Sequence, residues 1–177
     1  MAATTKLWTL EEMYSLPDDG NKYELIDGEL FVTPVPAPAH EEILARLSAI
    51  LLGYVTEHRL GRVYHPRSVV RFRGSEVEPD LLVRQPGSSA NTPWEEMPTP
   101  MLVVEVVSPF TRRRDHMHKR EFYEKAGVPE YWIIDGDARE ICVVKRGEAD
   151  DIRKGNVAWS PLAATSPLQF RLRELFD

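Results

Sequence analysis

The segment from Met101 to Val107 constrains the fold most, because six of its seven residues are apolar and the seventh is Glu105. A continuous apolar run rich in valine is typical of a strand that is buried on both faces of a sheet. An ionised carboxylate inside such a strand costs several kcal/mol unless it is paired or binds a metal ion. Glu105 is therefore either a functional residue or a residue near a strand end that reaches solvent or pairs with an arginine.

Hydrophobic periodicity and turn residues place this strand among other short strands and two main helices. The order of elements predicts one domain over residues 1–177, of α+β or mixed α/β class with a mostly antiparallel sheet. The predicted elements are a capped helix over 10–16, a hairpin around Asp27-Gly28, an amphipathic helix over 40–58, strands over 62–72 and 76–83, a helix over 111–126, and a hairpin around Asp135-Gly136-Asp137.

Two further acids, Glu78 and Asp80, flank Pro79. Residues two apart on a strand project from the same face, and Pro79 has no N–H to donate, so this strand is an edge or has just begun. Taken alone, the pair fits a solvated edge with protective charges. Adjacent strands could also bring Asp80 close to Glu105, and carboxylate oxygens are the ligands that Mg²⁺ prefers. Such an ion can activate water and neutralise charge on a phosphate.

The helix after Glu105 carries Asp115, Lys119 and Tyr123 at positions i, i+4 and i+8, which share one face. Two interpretations of the Asp115–Lys119 pair stay open: a surface ion pair, or a lysine that reaches the metal site to hold the attacking water or stabilise charge on the phosphate. For Glu24 and His40, residue type alone favours structural roles, and the His40 ring could bond the backbone where its helix begins.

The charge balance of 22 basic and 28 acidic residues gives a net charge of −6. This argues against a sequence-independent nucleic-acid coat, whose affinity comes from neutralising phosphates, but permits an enzyme with one basic face. The three consecutive bases Arg112, Arg113 and Arg114 are the predicted phosphate-facing patch. The alternative is a solvated loop before the helix.

Cellular location is indicated by what the sequence lacks. The lone Cys142 cannot form an intramolecular disulfide and suits a reducing cytoplasm. No apolar run approaches the roughly 18 residues of a membrane helix, and the first residues lack the apolar region of a secretory signal. We expect a cytoplasmic protein without membrane association.

Several motifs together resemble the Uma-two (Uma2) family of proposed restriction endonucleases in the PD-(D/E)XK nuclease superfamily. The segments that carry the resemblance are Tyr23–Leu30, Glu78–Leu81, Val103–Pro109 and Arg114–Trp132. The resemblance implies a restriction-endonuclease-like core, with a central mixed β-sheet flanked by helices and an N-terminal helix and β-hairpin. It also implies a Mg²⁺ (or Mn²⁺) site, a DNA substrate and a homodimer.

The resemblance also implies roles for individual residues. Asp80 and Glu105 correspond to the two metal-binding acids, with Val106 as the third member of the metal site. Val107 stands where the superfamily usually has lysine, so Lys119 from the following helix is the candidate catalytic lysine. The auxiliary residues are Glu24, His40, Glu78, Asp115 and Tyr123.

The leading hypothesis is a metal-dependent endonuclease that hydrolyses phosphodiester bonds of DNA. The alternative from another class is a catalytically inactive dimeric module of nuclease fold that binds nucleic acid or a protein partner. Hydrolysis of a small phosphoester is a third possibility.

Overall fold

The computed structural model describes residues 6–87, 89, 91–109 and 111–177. Twelve strands within these ranges build the sheets of the fold. They are β1 (Lys22–Ile26), β2 (Glu29–Thr33), β3 (Arg62–Tyr64), β4 (Val70–Phe72), β5 (Ser75–Val77), β6 (Leu81–Arg84), β7 (Leu102–Val107), β8 (Glu130–Asp135), β9 (Glu140–Lys145), β10 (Asp151–Arg153), β11 (Asn156–Trp159) and β12 (Leu168–Arg171).

The helical segments follow the predicted order, and the predicted cap of α1 is a capping box formed by Thr9 and Glu12. The predicted helix over 111–126 forms as two short α-helices joined by a π-helical turn. The helices are α1 (Leu10–Tyr14), α2 (Pro38–Glu57), α3 (Arg112–Arg114) and α4 (Arg120–Lys125), the π-helical turn is Asp115–Lys119, and 3-10 turns lie at Trp94–Glu96 and Leu172–Leu175. In the part of the chain that the structure describes, none of these helices combines the length and hydrophobicity needed to cross a bilayer.

A six-stranded sheet with the order β10-β9-β8-β7-β6-β3 forms the centre of the fold. It lies beside a four-stranded sheet, β2-β1-β5-β4, and a two-stranded sheet, β11-β12. Strand β7 pairs in parallel with β8 and antiparallel with β6, so the central sheet is mixed. The prediction of a central mixed sheet flanked by helices is confirmed.

Both faces of β7 are buried, as its apolar sequence predicts. Alternate residues point to opposite faces, so Leu102, Val104 and Val106 pack in the core that contains the leucines of α2. Val103 and Val107 pack in the second core with the aromatic side chains of α4. Glu105 lies between these two valines along the strand and therefore shares their face.

Two predicted strands are each divided between sheets. The run over 62–72 forms β3 in the central sheet and β4 in the four-stranded sheet, and the run over 76–83 forms β5 and β6 in the same way. The prediction that Glu78 and Asp80 share one strand face was wrong, because both lie in the link where the chain leaves one sheet for the other. Prolines in both links, Pro66 and Pro79, lack the N–H that a continuous ladder would need.

Candidate active site

A cleft of about 720 Å³ opens at the carboxyl end of β7. The proline-rich segment 34–37 and the first turn of α2 line one side, and residues 105–109 line another. Asp80 directly precedes Leu81, which pairs with Val104 across the β6–β7 ladder, and Glu105 directly follows Val104. The two acids therefore adjoin the last registered pair of this ladder, and both line the cleft.

Asp80 is held by one main-chain donor and two basic side chains. Its Oδ2 accepts a hydrogen bond from the Val106 N–H (2.8 Å) and lies 3.1 Å from His40 Nε2. Its Oδ1 lies 3.4 Å from the Lys22 ammonium. Burial opposes ionisation, but Lys22 and His40 hold the pKa of Asp80 well below its ordinary value. Asp80 is therefore a carboxylate at neutral pH.

Glu105 is only 2% exposed and receives its hydrogen bonds on one oxygen. Lys119 donates to Oε1 at 2.7 Å, and the Tyr123 hydroxyl donates to the same atom at 2.8 Å. Burial, together with the negative charge of Asp80, raises the pKa of Glu105 to about 7. Glu105 neither reaches solvent nor pairs with an arginine among the described residues, so both structural alternatives for it were wrong.

Lys119 is fully buried and is surrounded by acids. In addition to Glu105, its ammonium lies 2.9 Å from Glu24 Oε1 and 3.5 Å from Asp115 Oδ1. Asp115, Lys119 and Tyr123 are all buried, so the shared helix face is confirmed and a surface ion pair is excluded. The π-helical turn runs from Asp115 to Lys119, and such turns are frequent at functional sites.

Glu24 on β1 contacts both Lys119 and the link between β5 and β6. Its Oε1 also accepts a hydrogen bond from the Glu78 N–H (3.0 Å). Its Oε2 is buried, has no hydrogen-bond donor in the described residues, and lies 3.4 Å from the Arg114 guanidinium. Burial opposes ionisation, but Lys119, Lys22 and Arg114 lower the pKa of Glu24. Glu24 is thus a buried, ionised acid.

His40 and Glu78 lie at the mouth of the site, and both line the cleft. The His40 ring contacts two side chains, Asp80 through Nε2 and Glu41 through Nδ1 (3.3 Å). The alternative bond from this ring to the backbone at the start of the helix does not form among the described residues. Burial lowers the pKa of His40, but hydrogen bonds to these acids outweigh it, so the pKa is raised. Burial raises the pKa of Glu78.

The structure does not bring the three consecutive arginines together in one patch. Arg112 pairs with Asp135 at 2.6 Å, and Arg113 is exposed. Arg114 turns inward, where it donates to Thr33 Oγ1 at 2.7 Å, and it alone of the three lines the cleft.

Sequence reasoning missed two cations at the cleft, and the first of them is Lys22. It lies on the same strand as Glu24 and two residues before it, and this spacing places both on one face. Strand alternation was therefore a sufficient signal. A second cation at the cleft, Arg67, comes from the link between β3 and β4 and carried no such signal.

The residues that could bind a small divalent cation are the two carboxylates beside the β6–β7 ladder. In the described ranges, no three His, Cys, Asp or Glu side chains converge into a complete metal site, so the candidate site depends on the carboxylates of Asp80 and Glu105. Five carboxylates face four permanent cations at the site, so the formal excess is one negative charge, and a protonated His40 would cancel it. The carboxylates are Glu24, Glu78, Asp80, Glu105 and Asp115, and the cations are Lys22, Arg67, Arg114 and Lys119.

Comparison with known proteins places this site in context. A crystal structure of "a putative nuclease belonging to DUF820 from Anabaena variabilis" superposes with a TM-score of 0.78 and 21% sequence identity, covering 95% of this chain and 97% of that one. At this identity the likeness establishes the shared fold. No curated protein matches the chain. The model of the Uma2 family, described as "Putative restriction endonuclease", matches residues 10–172, and the chain therefore belongs to the Uma2 family.

Proposed function

We propose that the protein is a Mg²⁺- or Mn²⁺-dependent endonuclease that hydrolyses phosphodiester bonds of DNA in the cleft beside β7. The observation that carries the proposal is the pair of carboxylates at the end of the β6–β7 ladder, one of which is bound to a fully buried lysine. Buried carboxylates lose their hydration, and a divalent cation bound between Asp80 and Glu105 would compensate both. The family and the shared nuclease fold support the same class of function.

Asp80, Glu105 and the main-chain carbonyl of Val106 are the proposed metal ligands. The Val106 N–H points to Asp80, and the N–H and C=O of one residue in an extended strand point to the same side. The carbonyl therefore lies on the side of Asp80. A bound divalent ion would neutralise charge on the phosphodiester and acidify an attacking water.

The chain's own residues fix the geometry of this site. Lys119 and Tyr123 hold Oε1 of Glu105 and leave Oε2 without a described donor. Glu24 fixes the Lys119 ammonium from its other side. We propose that Lys119 is the catalytic lysine in place of a lysine at 107, where Val107 is packed in the second core. Its ammonium opposes the rise in the pKa of Glu105 that burial causes, and it would contribute fixed positive charge behind that carboxylate.

The proposal extends to assembly and location. We propose one domain over residues 1–177 that acts as a homodimer in the cytoplasm, where the buried Cys142 stays reduced. Light scattering on the purified protein tests the dimer.

Cleavage of supercoiled plasmid DNA tests the proposal directly. We expect the wild type to nick or linearise the plasmid with Mg²⁺ or Mn²⁺ and to lose this activity in chelator. Asp80→Asn should abolish cleavage, whereas Asp151→Asn, on the edge strand β10, is a matched control that should cleave normally.

Two outcomes would contradict the proposal. Cleavage by Asp80→Asn at the wild-type rate would remove Asp80 from the site. DNA binding by the wild type without cleavage under any divalent ion would favour the inactive binding module.

A further inference from the structure

Lys22 occupies the one oxygen of Asp80 that the protein backbone leaves free. Oδ2 of Asp80 is committed to the Val106 N–H and to His40. Oδ1 faces the Lys22 ammonium at 3.4 Å, and the same ammonium donates to the Glu78 carbonyl at 3.0 Å. The Lys22 side chain is 20% exposed, so it is neither sealed in the core nor free in solvent.

Lys22 is also placed differently from Lys119, the other lysine of the site. Lys119 is fully buried and lies near three carboxylates, Glu24, Glu105 and Asp115. Lys22 forms one salt bridge, to Oδ1 of Asp80, while Glu24, Glu105 and Glu78 act on its charge from farther away, and it lines the open cleft. A lysine ammonium is a compact charge on a flexible four-carbon stem, so Lys22 can move into the cleft without a change in the backbone.

We infer that Lys22 is a displaceable internal cation, which holds Oδ1 of Asp80 when no divalent ion is bound and withdraws into the cleft when such an ion binds. The inference rests on the proposed function, because it takes Asp80 as a metal ligand. A divalent ion on Oδ1 would lie within a few ångströms of an ammonium docked there, so repulsion between the two positive charges makes docking of Lys22 and binding of the metal ion oppose each other. Each therefore weakens the other by the same factor.

The size of this effect follows from the population of the docked state. If the ammonium covers Oδ1 about nine-tenths of the time, the apparent affinity for the metal ion is reduced by about tenfold. The displaced ammonium then lies in the cleft, where it can pair with a phosphate oxygen of the substrate. Lys22 thus balances the negative charge of Asp80 before the ion binds. After the ion has bound, it provides a positive charge that faces the phosphate.

Calorimetric titration with Mn²⁺ alone, in the absence of DNA, tests the inference. We expect Lys22→Met to bind Mn²⁺ about tenfold more tightly than the wild type. Lys22→Arg, which keeps the charge, should stay within about twofold of the wild type. Lys154→Met is the matched control, because Lys154 pairs with a single carboxylate, Glu140, at 3.2 Å and is 69% exposed. It should bind Mn²⁺ like the wild type.

Thermal melting provides a second readout that is independent of cleavage. Lys22→Met should melt below the wild type in chelator, because Asp80 has lost a compensating charge, and should gain more than the wild type from saturating Mn²⁺. A variant that folds only with Mn²⁺ supports the inference as well. A variant that fails to fold even with Mn²⁺ overturns it, since Lys22 would then be a structural cation that the ion cannot replace.

The remaining outcomes separate this inference from the proposed function. A wild type that binds Mn²⁺ and cleaves DNA, with unchanged or weaker Mn²⁺ affinity in Lys22→Met, overturns the role of Lys22 alone. Absence of Mn²⁺ binding in both proteins overturns the inference together with the metal site.

Discussion

The two faces of strand β7 differ in the kind of side chain that they bury. On the face toward α2, the strand contributes only apolar side chains to a continuous hydrophobic core. On the opposite face, Glu105 lies between two valines and contacts Lys119 and Tyr123. Both faces are buried, so exposure to solvent does not explain the difference.

The comparison indicates which face provides stability and which carries the residues of the proposed chemistry. Burial of apolar surface contributes about 25 cal/mol per Å², and the α2 face consists of such surface. A buried ion pair gains less, because desolvation of the charges offsets their attraction, and well-packed apolar residues in its place are often as stable or more stable. The charged face is therefore expected to cost stability that the apolar face offsets.

The largest effect is expected from the buried lysine. Lys119→Met removes the cation between Glu24 and Glu105, which should destabilise the protein by about 3–5 kcal/mol. Cleavage by the folded protein should fall by roughly 10²-fold or more, as when an electrostatic stabiliser is removed. Urea unfolding and plasmid nicking measure the two effects, and the exposed Lys125→Met on the same helical segment is the control. Wild-type stability and activity in Lys119→Met would leave the charged face without a role.

A comparable change in the apolar face should affect stability alone. Leu51→Ala deletes a fully buried side chain of α2 and should cost about 2–5 kcal/mol. Its neighbour Leu52 is 51% exposed, so Leu52→Ala should change stability by less than about 0.5 kcal/mol. Cleavage per folded molecule should match the wild type in both variants. A large loss of cleavage in folded Leu51→Ala would show that the two faces are not separable.

The sequence predicted the central features of this comparison because they depend on local periodicity. Alternation along Leu102–Val107 placed Glu105 and Val107 on one face of the strand. Helical spacing placed Asp115, Lys119 and Tyr123 on one face of the following helix. The structure brings those two faces together, with Lys119 and Tyr123 on the same oxygen of Glu105.

Other features depend on how separate elements pack, and the sequence could not supply them. Nothing local to Arg114 indicates that it turns inward to Thr33 and Glu24, which lie on the first hairpin. The transfer of the chain between two sheets at Pro79 likewise depends on which strands become neighbours. Helical spacing left open whether Lys119 reaches the acids, and the resemblance to the family favoured that interpretation before the fold was known.

The smallest effect is expected for the surface arginines. Arg113 is exposed and has no ion pair in the described residues, whereas Arg112 is already paired with Asp135. If both face DNA, Arg113→Ala should reduce the slope of log affinity against log salt by up to about 0.9, and Arg112→Ala by less. The measurement is DNA binding over a range of salt concentrations. A slope that stays unaltered after replacement of Arg112, Arg113 and Arg114 together would place bound DNA elsewhere.

The pH dependence of stability distinguishes the two faces of β7, because only the charged face carries a titratable strand residue, Glu105. The pKa of Glu105 is raised from 4.5 to about 7 by burial, so the neutral form is favoured in the folded protein. Its contribution to stability is therefore present below about pH 4.5 and is lost as the pH rises through about 7. Between pH 5.5 and 8 the wild type should lose about 2 kcal/mol relative to Glu105→Gln, which has no proton to release.

The central claim is that the charged face lowers the stability of the protein and is required for cleavage. Glu105→Gln, studied in chelator at pH 8, tests this claim most directly. We expect a higher free energy of urea unfolding than in the wild type, together with loss of plasmid cleavage when Mg²⁺ is restored. A variant that is less stable than the wild type at pH 8, or that cleaves at the wild-type rate, would contradict this account.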